Sequence, residues 1–275
     1  MCTKQKGRVF TTTYTFLDIA IHITMSDKTN VVSEQPQQVQ HVVGGVQWMP
    51  SPQVQIPLGC PPGLEYLVQV DQLVIKQILE MLEIFTGWET NNKYRITNTL
   101  GQAVYFAMED TDCCTRYCCG PGRPFEMKIL DNFQREVIHL SRPLRCQGCC
   151  CYCCLQEIEI QAPPGEVVGY CVQKWSLWEQ KLEICDANRT PQLLIRGPCL
   201  PISCGSDVQF EVLSMDGGTV VGAITKQWVG CGTECFTDAD TFSVTFPMDL
   251  DVKMKAVMLG TCFLVDFMFF EKKNN

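Results

Sequence analysis

Histidine is scarce in this chain: His22, His41 and His139 are all that 275 residues contain. An acid–base or metal-hydrolytic site has little to draw on, and neither G-x-S-x-G nor H-E-x-x-H occurs. His139, between Ile138 and Leu140, reads as one face of a strand. No P-loop or other glycine-rich phosphate cradle is present, which excludes the usual nucleotide-driven chemistry. With no catalytic constellation, the sequence points away from an enzyme. Basic charge is short as well: 22 Lys and Arg stand against 30 Asp and Glu, a net charge of −8 with a pI near 5.0. Such a surface repels polyanions, and a nucleic-acid partner is disfavoured. A secretory leader is not expected, because "FLDIAIHI" (16–23) is short, holds Asp18 and His22, and lacks a small-residue cleavage site.

A long uncharged apolar run is also missing. The nearest is "AVMLGTCFLVDFMFF" (256–270), 15 residues between Lys255 and Glu271 with Asp266 inside it. As a helix it reaches about 22 Å, against a hydrocarbon core of ~30 Å. Two readings follow: a short single-pass span with snorkelling lysines, or a helix apolar on nearly all sides and wrapped by protein. The sequence favours the wrapped helix.

Cysteine, by contrast, is abundant. Nineteen are present, an odd number with many of them vicinal, which fits a reducing compartment better than a disulfide scaffold. "RCQGCCCYCC" (145–154) packs six of them into nine positions.

Residues 1–63 are rich in Gln, Pro and Gly and read as a flexible lead, with the main domain over 64–275. "DQLVIKQILEMLEIFTG" (71–87) predicts an amphipathic helix with Asp71 as N-cap, Val74, Ile78, Leu82 and Phe85 on one face, and Gly87 as its stop. From Tyr94 onward, short alternating runs such as "VYFAM", "FEMKIL", "LQEIEI", "DVQFEV" and "TFSVTF" are separated by turn signals. Strands at this spacing imply a closed barrel or a sandwich, a mainly β fold. An internal repeat underlies them. An offset of 53 relates Cys151 to Cys204, Gln156 to Gln209, Val167-Val168-Gly169 to Val220-Val221-Gly222, and Trp175 to Trp228. With a small slip in register the two copies cover about 125–175 and 180–228, and Trp175 and Trp228 read as repeated core tryptophans.

Taken together, "GLEYLVQVDQL", "TGWETNNKY", "EDTDCCTRYCCGPGRPF", "LQEIEIQAPPG", "FTDADTF" and "DLDVKMKAVMLGTCFLVDFMFFE" closely resemble the phospholipid scramblases, from about Gly63 to Glu271. The resemblance implies a tubby-like closed antiparallel barrel of about twelve strands around the hydrophobic C-terminal helix. It also implies ATP-independent, calcium-triggered movement of phospholipids in both directions between leaflets, by a protein on the cytoplasmic face of the plasma membrane with a further nuclear location. The family is described alternatively as single-pass, with the helix in the bilayer.

Residue by residue, the resemblance makes Cys149, Cys150, Cys151, Cys153 and Cys154 palmitoylation sites, with Tyr152 at the interrupting position. Several thioester-linked chains give stable anchoring where one is marginal. The competing reading is zinc, held by Cys146, Cys149, Cys150 and Cys153 with help from Cys113, Cys114, Cys118 and Cys119. Adjacent side chains in an extended run diverge, which disfavours chelation. For Ca²⁺ the resemblance gives Asp238, Asp240, Phe242, Val244, Phe246 and Asp249 as ligand positions. Three of these supply carboxylates and three only main-chain carbonyls, so the site would be weak, on the order of 10⁻⁴ M or above. The same stretch reads equally well as a strand. "GAITKQWVG" (222–230) occupies the place of a nuclear-import segment: Lys226 and Trp228 match it, while Ala223 stands where a lysine is expected. The partners implied are membrane phospholipids, a membrane reached through S-acylation or the C-terminal helix, and further proteins. A second function fits the same residues: an acyl-anchored lipid- or protein-binding β-barrel module with a signalling or nuclear role.

Overall fold

Phe125, Met127 and Ile129 are buried while the residues between them are part-exposed, and Ile158 and Ile160 alternate with Glu157, Glu159 and Gln161 in the same way. This period of two gives each strand one face for a core. The computed structural model describes residues 42–43, 46–52, 55–78, 91–145, 154–201, 205–228 and 240–271, all within one body spanning Val39–Asn275.

A small ladder joins β1 (Val42–Val43) to β2 (Val46–Gln47). Twelve further strands follow: β3 (Gln72–Ile78), β4 (Lys93–Thr97), β5 (Ala103–Asp110), β6 (Phe125–Leu130), β7 (Glu136–Arg142), β8 (Glu157–Gln161), β9 (Val167–Lys174), β10 (Gln180–Asp186), β11 (Pro191–Gly197), β12 (Val208–Ser214), β13 (Val220–Gln227) and β14 (Thr241–Thr245). Each pairs antiparallel with its neighbours in sequence, and β14 pairs with β3, so the sheet closes. Closure leaves no edge strand within the barrel to aggregate. Helix α1 (Cys113–Cys119) sits between β5 and β6, and helix α2 (Val252–Phe269) follows β14.

Helix α2 fills the barrel. Asp251 caps it, its Oδ1 accepting from the amides of Lys253 and Met254, and every residue from Lys255 to Phe267 is buried. It packs against β8, β9, β10 and β14. Gly260 allows the closest approach, since a Cβ there would lie 2.6 Å from Ile160 Cγ1. Each large apolar side chain so enclosed contributes about 1.5–3 kcal/mol. Among the described residues no helix is long and apolar enough to cross a membrane, because α2 carries Lys253, Lys255 and Asp266. The single-pass alternative is therefore corrected: the apolar run is core.

The amphipathic helix expected from Asp71 is corrected as well. Its first half is strand β3, with Leu73 and Ile75 buried and Val74 half-exposed, and the rest lies outside the described residues. The apolar pattern satisfies a period of 3.6 or of 2 in so short a window, and flanking strands β14 and β4 decide it. Part of the expected flexible lead is also packed on the barrel. Met49 is buried and its amide donates to the Ala103 carbonyl at 2.8 Å. Gly63 accepts the Tyr105 hydroxyl at 2.6 Å, at φ +91° and with Val137 where a Cβ would stand.

The offset of 53 falls on equivalent strands: β9 and β13 begin at Val167 and Val220, and 220 − 167 = 53. The shared glycines have one cause. A Cβ on Gly169 would meet the Cys185 carbonyl at 2.4 Å, and one on Gly222 the Thr245 carbonyl at 2.1 Å. The tryptophans of the repeat are not core. Trp175 is 40% exposed and Trp228 half-exposed, each just past the end of its strand.

Candidate functional site

The meander sorts its connections to two ends. Residues 46–71, the β14–α2 turn and the hairpins β4–β5, β6–β7, β8–β9, β10–β11 and β12–β13 lie at the entry end, where α2 goes in. The other hairpins, among them β5–β6 with its helix, β7–β8 and β9–β10, turn at the α1 end, where α2 finishes.

At the entry end Lys255 is wholly buried, and its Nζ donates to the carbonyls of Leu67, Val70 and Met248 at 2.9, 2.9 and 2.8 Å. The Phe246 ring lies 5.0 Å from the ammonium. Burial lowers the lysine pKa, with the charges of Asp71 and Asp249 acting against the shift. Three carbonyls replace the water that the ammonium loses, so the lysine pins the 3-10 turn Glu65–Gln69 and the 248 turn to the plug.

Near the α1 end the Tyr94 hydroxyl donates to Asp266 Oδ2 at 2.9 Å inside the barrel. Burial pushes the Asp266 carboxyl well above the usual carboxylate range, and the charges of Asp240 and Glu271 add to this. Beyond it, Glu109 accepts Arg123 Nε at 2.6 Å and Nη2 at 2.9 Å, and Arg116 Nη1 at 3.1 Å. Burial opposes ionisation of Glu109, but the Arg123 bonds and the two guanidinium charges outweigh it and hold the carboxyl below its ordinary value. Arg123 Nη2 also reaches Glu271 Oε1 at 2.7 Å, which ties the end of α2 to the rim.

Cys149, Cys150, Cys151 and Cys153 lie outside the described residues, as does Cys146. Cys154 is half-buried. The described residues on either side of them are tied together: Arg142 Nε and Nη2 donate to Gln156 Oε1 at 3.2 and 2.7 Å, Gln156 Nε2 donates to the Cys154 carbonyl, and Arg145 Nη1 to the Leu155 carbonyl. Burial brings the Arg142 pKa down to about 10, against the opposing charge of Glu271. Sequence reasoning gave the residues of α1 no role beyond a share in the zinc reading. Its buried Arg116 turns Cys113, Cys114, Tyr117, Cys118 and Cys119 outward, all exposed at the α1 end.

Five of the six expected calcium positions are described, and they do not converge. Asp240 pairs with Lys226 Nζ at 2.7 Å, and its carbonyl accepts from the Gln77 amide at 3.0 Å. Phe242 and Val244 are buried in β14, whose carbonyls point into ladders with β13 and β3. Phe246 is buried beside Lys255, and Asp249 is exposed at the entry end, the length of β14 away from Asp240. Asp238 lies outside the described residues. Hard Ca²⁺ needs six or more oxygens around one point, and these residues do not fit that arrangement. Among the described residues no group of three or more His, Cys, Asp or Glu is set to hold a metal. Of the import pair, Lys226 is buried, paired with Asp240 and 4.7 Å from the Phe270 ring, while the Trp228 amide donates to Asp207 Oδ1 at 2.8 Å. His139 stands on β7 between Glu136 and Glu126, at 2.6 and 2.9 Å.

Sequence reasoning missed the buried partners. Lys255 at the border of the apolar run and Asp266 inside it were the signal that carbonyls and a hydroxyl must face them.

The family model described as Scramblase matches residues 49–272. Human "Phospholipid scramblase 1" is 62% identical over 227 residues, covering 82% of this chain and 71% of that protein. Bovine "Phospholipid scramblase 2" is 62% identical over 226 residues, 82% of this chain and 76% of that protein. Human "Phospholipid scramblase 2" is 56% identical over 228 residues, with shares of 83% and 76%. No solved structure matches.

Proposed function

The chain belongs to the scramblase family, and from that premise we propose that it moves phospholipids between membrane leaflets in both directions, without ATP and in response to calcium, while thioester-linked acyl chains at Cys149–Cys154 hold it to the membrane. The observation that carries the reading is the 62% identity to relatives named phospholipid scramblases over four-fifths of the chain. Passage of a headgroup through hydrocarbon requires a lowered barrier rather than a broken bond, which agrees with a chain poor in catalytic groups. The calcium response is not assigned to β14 as folded, since its residues do not surround an ion. Acylation supplies the anchor that α2, enclosed by strands, does not. The cytoplasmic face of the plasma membrane is the location this reading carries.

The test is reconstitution of the full chain into liposomes with labelled lipid in one leaflet. Label equilibrating faster on addition of Ca²⁺, without ATP, supports the proposal. No acceleration at any protein density overturns it in favour of an acyl-anchored lipid- or protein-binding module. One observation favours that second reading: α2 occupies the barrel interior, where a polar path for a headgroup would otherwise run. Anchoring is read separately in cell membranes, where hydroxylamine cleaves thioesters and should release the protein.

A further inference from the structure

The β9–β10 hairpin is unusual in what it exposes. At its tip, Leu177 and Trp178 are 70% and 79% exposed, large apolar side chains where a tight turn normally presents polar ones. The tip has apolar neighbours. Gln180 pairs with Gly197, so the tip stands beside the end of β11, after which Leu200 is 72% exposed. On the other side the Gln173 amide donates to the Gln156 carbonyl at 2.7 Å, which sets the end of β9 against Cys154 and the tied residues beside the thiol segment. Leu144, 64% exposed, leads into that segment, and Tyr117 of α1 stands out from the same end at 92%. Around the base of the tip, Lys174 pairs with Glu183 at 2.9 Å, while Lys181 and Arg196 pair with Glu179 at 2.7 and 3.2 Å.

We propose that the α1 end is the face that rests on lipid, with Leu177 and Trp178 inserted at the bilayer interface and Leu144, Leu200 and Tyr117 around them. The inference deepens the membrane attachment proposed above and rests on it. Indole and phenol rings favour the boundary between headgroup and acyl chain, and the basic stems around the tip can snorkel there. Membership of the scramblase family selects a bilayer as occupant, and the segment proposed above to carry acyl chains leaves and rejoins the described residues at Arg145 and Cys154 of this same end. Both ends carry exposed carboxylates, Asp71, Asp216, Asp249 and Asp251 at the opposite one and Asp110, Asp112 and Asp207 here, but the exposed Leu58, Leu100 and Phe133 of the opposite end include no tryptophan, and the paired Leu177–Trp178 tip decides between them. A net charge of −8, together with ion-paired basic residues at the tip, makes insertion rather than charge the driving force, so binding should depend little on salt.

The test uses the full, unacylated chain with phosphatidylcholine vesicles holding a minority of phosphatidylserine. Vesicle affinity should fall about tenfold or more in Leu177→Ser/Trp178→Ser and stay unchanged in Leu100→Ser/Phe133→Ser, with both variants melting as the native chain does. Tryptophan fluorescence should be quenched by lipids brominated on their acyl chains, and that quenching should be largely lost in Trp178→Phe. Equal affinity of the tip variant and the native chain, loss of affinity only in the opposite-end variant, or quenching unaltered by Trp178→Phe would each overturn the inference. Scrambling is read in the same vesicles. Lipid that equilibrates without tip insertion sinks this face and leaves the function standing; an inserted tip with no equilibration does the reverse.

Discussion

The hydroxyl of Tyr94, on β4, donates to the carboxyl of Asp266 at 2.9 Å, joining the barrel wall to the helix that fills it. Asp266 is 4% exposed, and burial, with the charges of Asp240 and Glu271 adding to it, raises its pKa well above the ordinary value. The folded chain therefore keeps a proton that the unfolded chain has released, and this contribution to stability is lost as pH rises from about 4 through the raised value. Asp266→Asn keeps an acceptor for Tyr94 and has no proton to lose. It should gain stability over the native chain as pH rises, by about 1–3 kcal/mol at pH 8, and match it near pH 4. Urea unfolding at the two pH values measures the difference, and equal gaps at both would contradict it.

Lys255→Met keeps the length of the side chain and removes all three donors to Leu67, Val70 and Met248. Buried carbonyls left without partners cost about 2–4 kcal/mol in total. Thermal unfolding should show a lower midpoint, and amide exchange should rise first in Glu65–Gln69.

Gly222→Ala and Gly169→Ala each set a methyl against the backbone carbonyl of a neighbouring strand. A carbonyl in a ladder cannot swing aside as a side chain can, so each substitution should destabilise by about 2–4 kcal/mol. Gly205→Ala, at φ +84° with open space around it, makes a control for backbone strain alone.

Asp240→Asn removes the partner of buried Lys226, and Asp249→Asn alters an exposed side chain. If β14 does not gather these groups around an ion, the first should lower stability by about 1–3 kcal/mol and the second by little, with neither moving the calcium midpoint of lipid equilibration. A midpoint shifted several-fold by both would restore a calcium site at this strand.

The strands were legible wherever apolar and polar residues alternate for five or more positions, as in Phe125–Leu130 and Glu157–Gln161, because that period belongs to a sheet with one buried face. The offset of 53 was legible too, and its glycines prove to sit under a neighbour's carbonyl. Strand β3 was not, because its seven residues satisfy both periods and only pairing with β14 and β4 separates them. Trp175 and Trp228 read as core because they recur at the offset of 53; their place just past strand ends depends on where β9 and β13 stop, which propensity does not fix. The calcium positions came from resemblance, and no local pattern shows that Asp240 faces Lys226 across the neighbouring strand. Helix α2 was readable as buried because its charges at 253, 255 and 266 make it a poor span.

The placement of that helix carries the account, and one cross-link tests it in membrane-bound protein. On α2 the Thr261 hydroxyl donates to the Val257 carbonyl at 2.8 Å, and its side chain neighbours the buried Cys171 thiol on β9, against which the helix packs. In Thr261→Cys, mild oxidation of the protein on its membrane should yield a disulfide between peptides carrying positions 171 and 261, identified by mass spectrometry and lost on reduction. Failure to form that link, together with labelling of residues 256–270 by a lipid-soluble photoreactive probe, would place the helix in the bilayer and contradict the account.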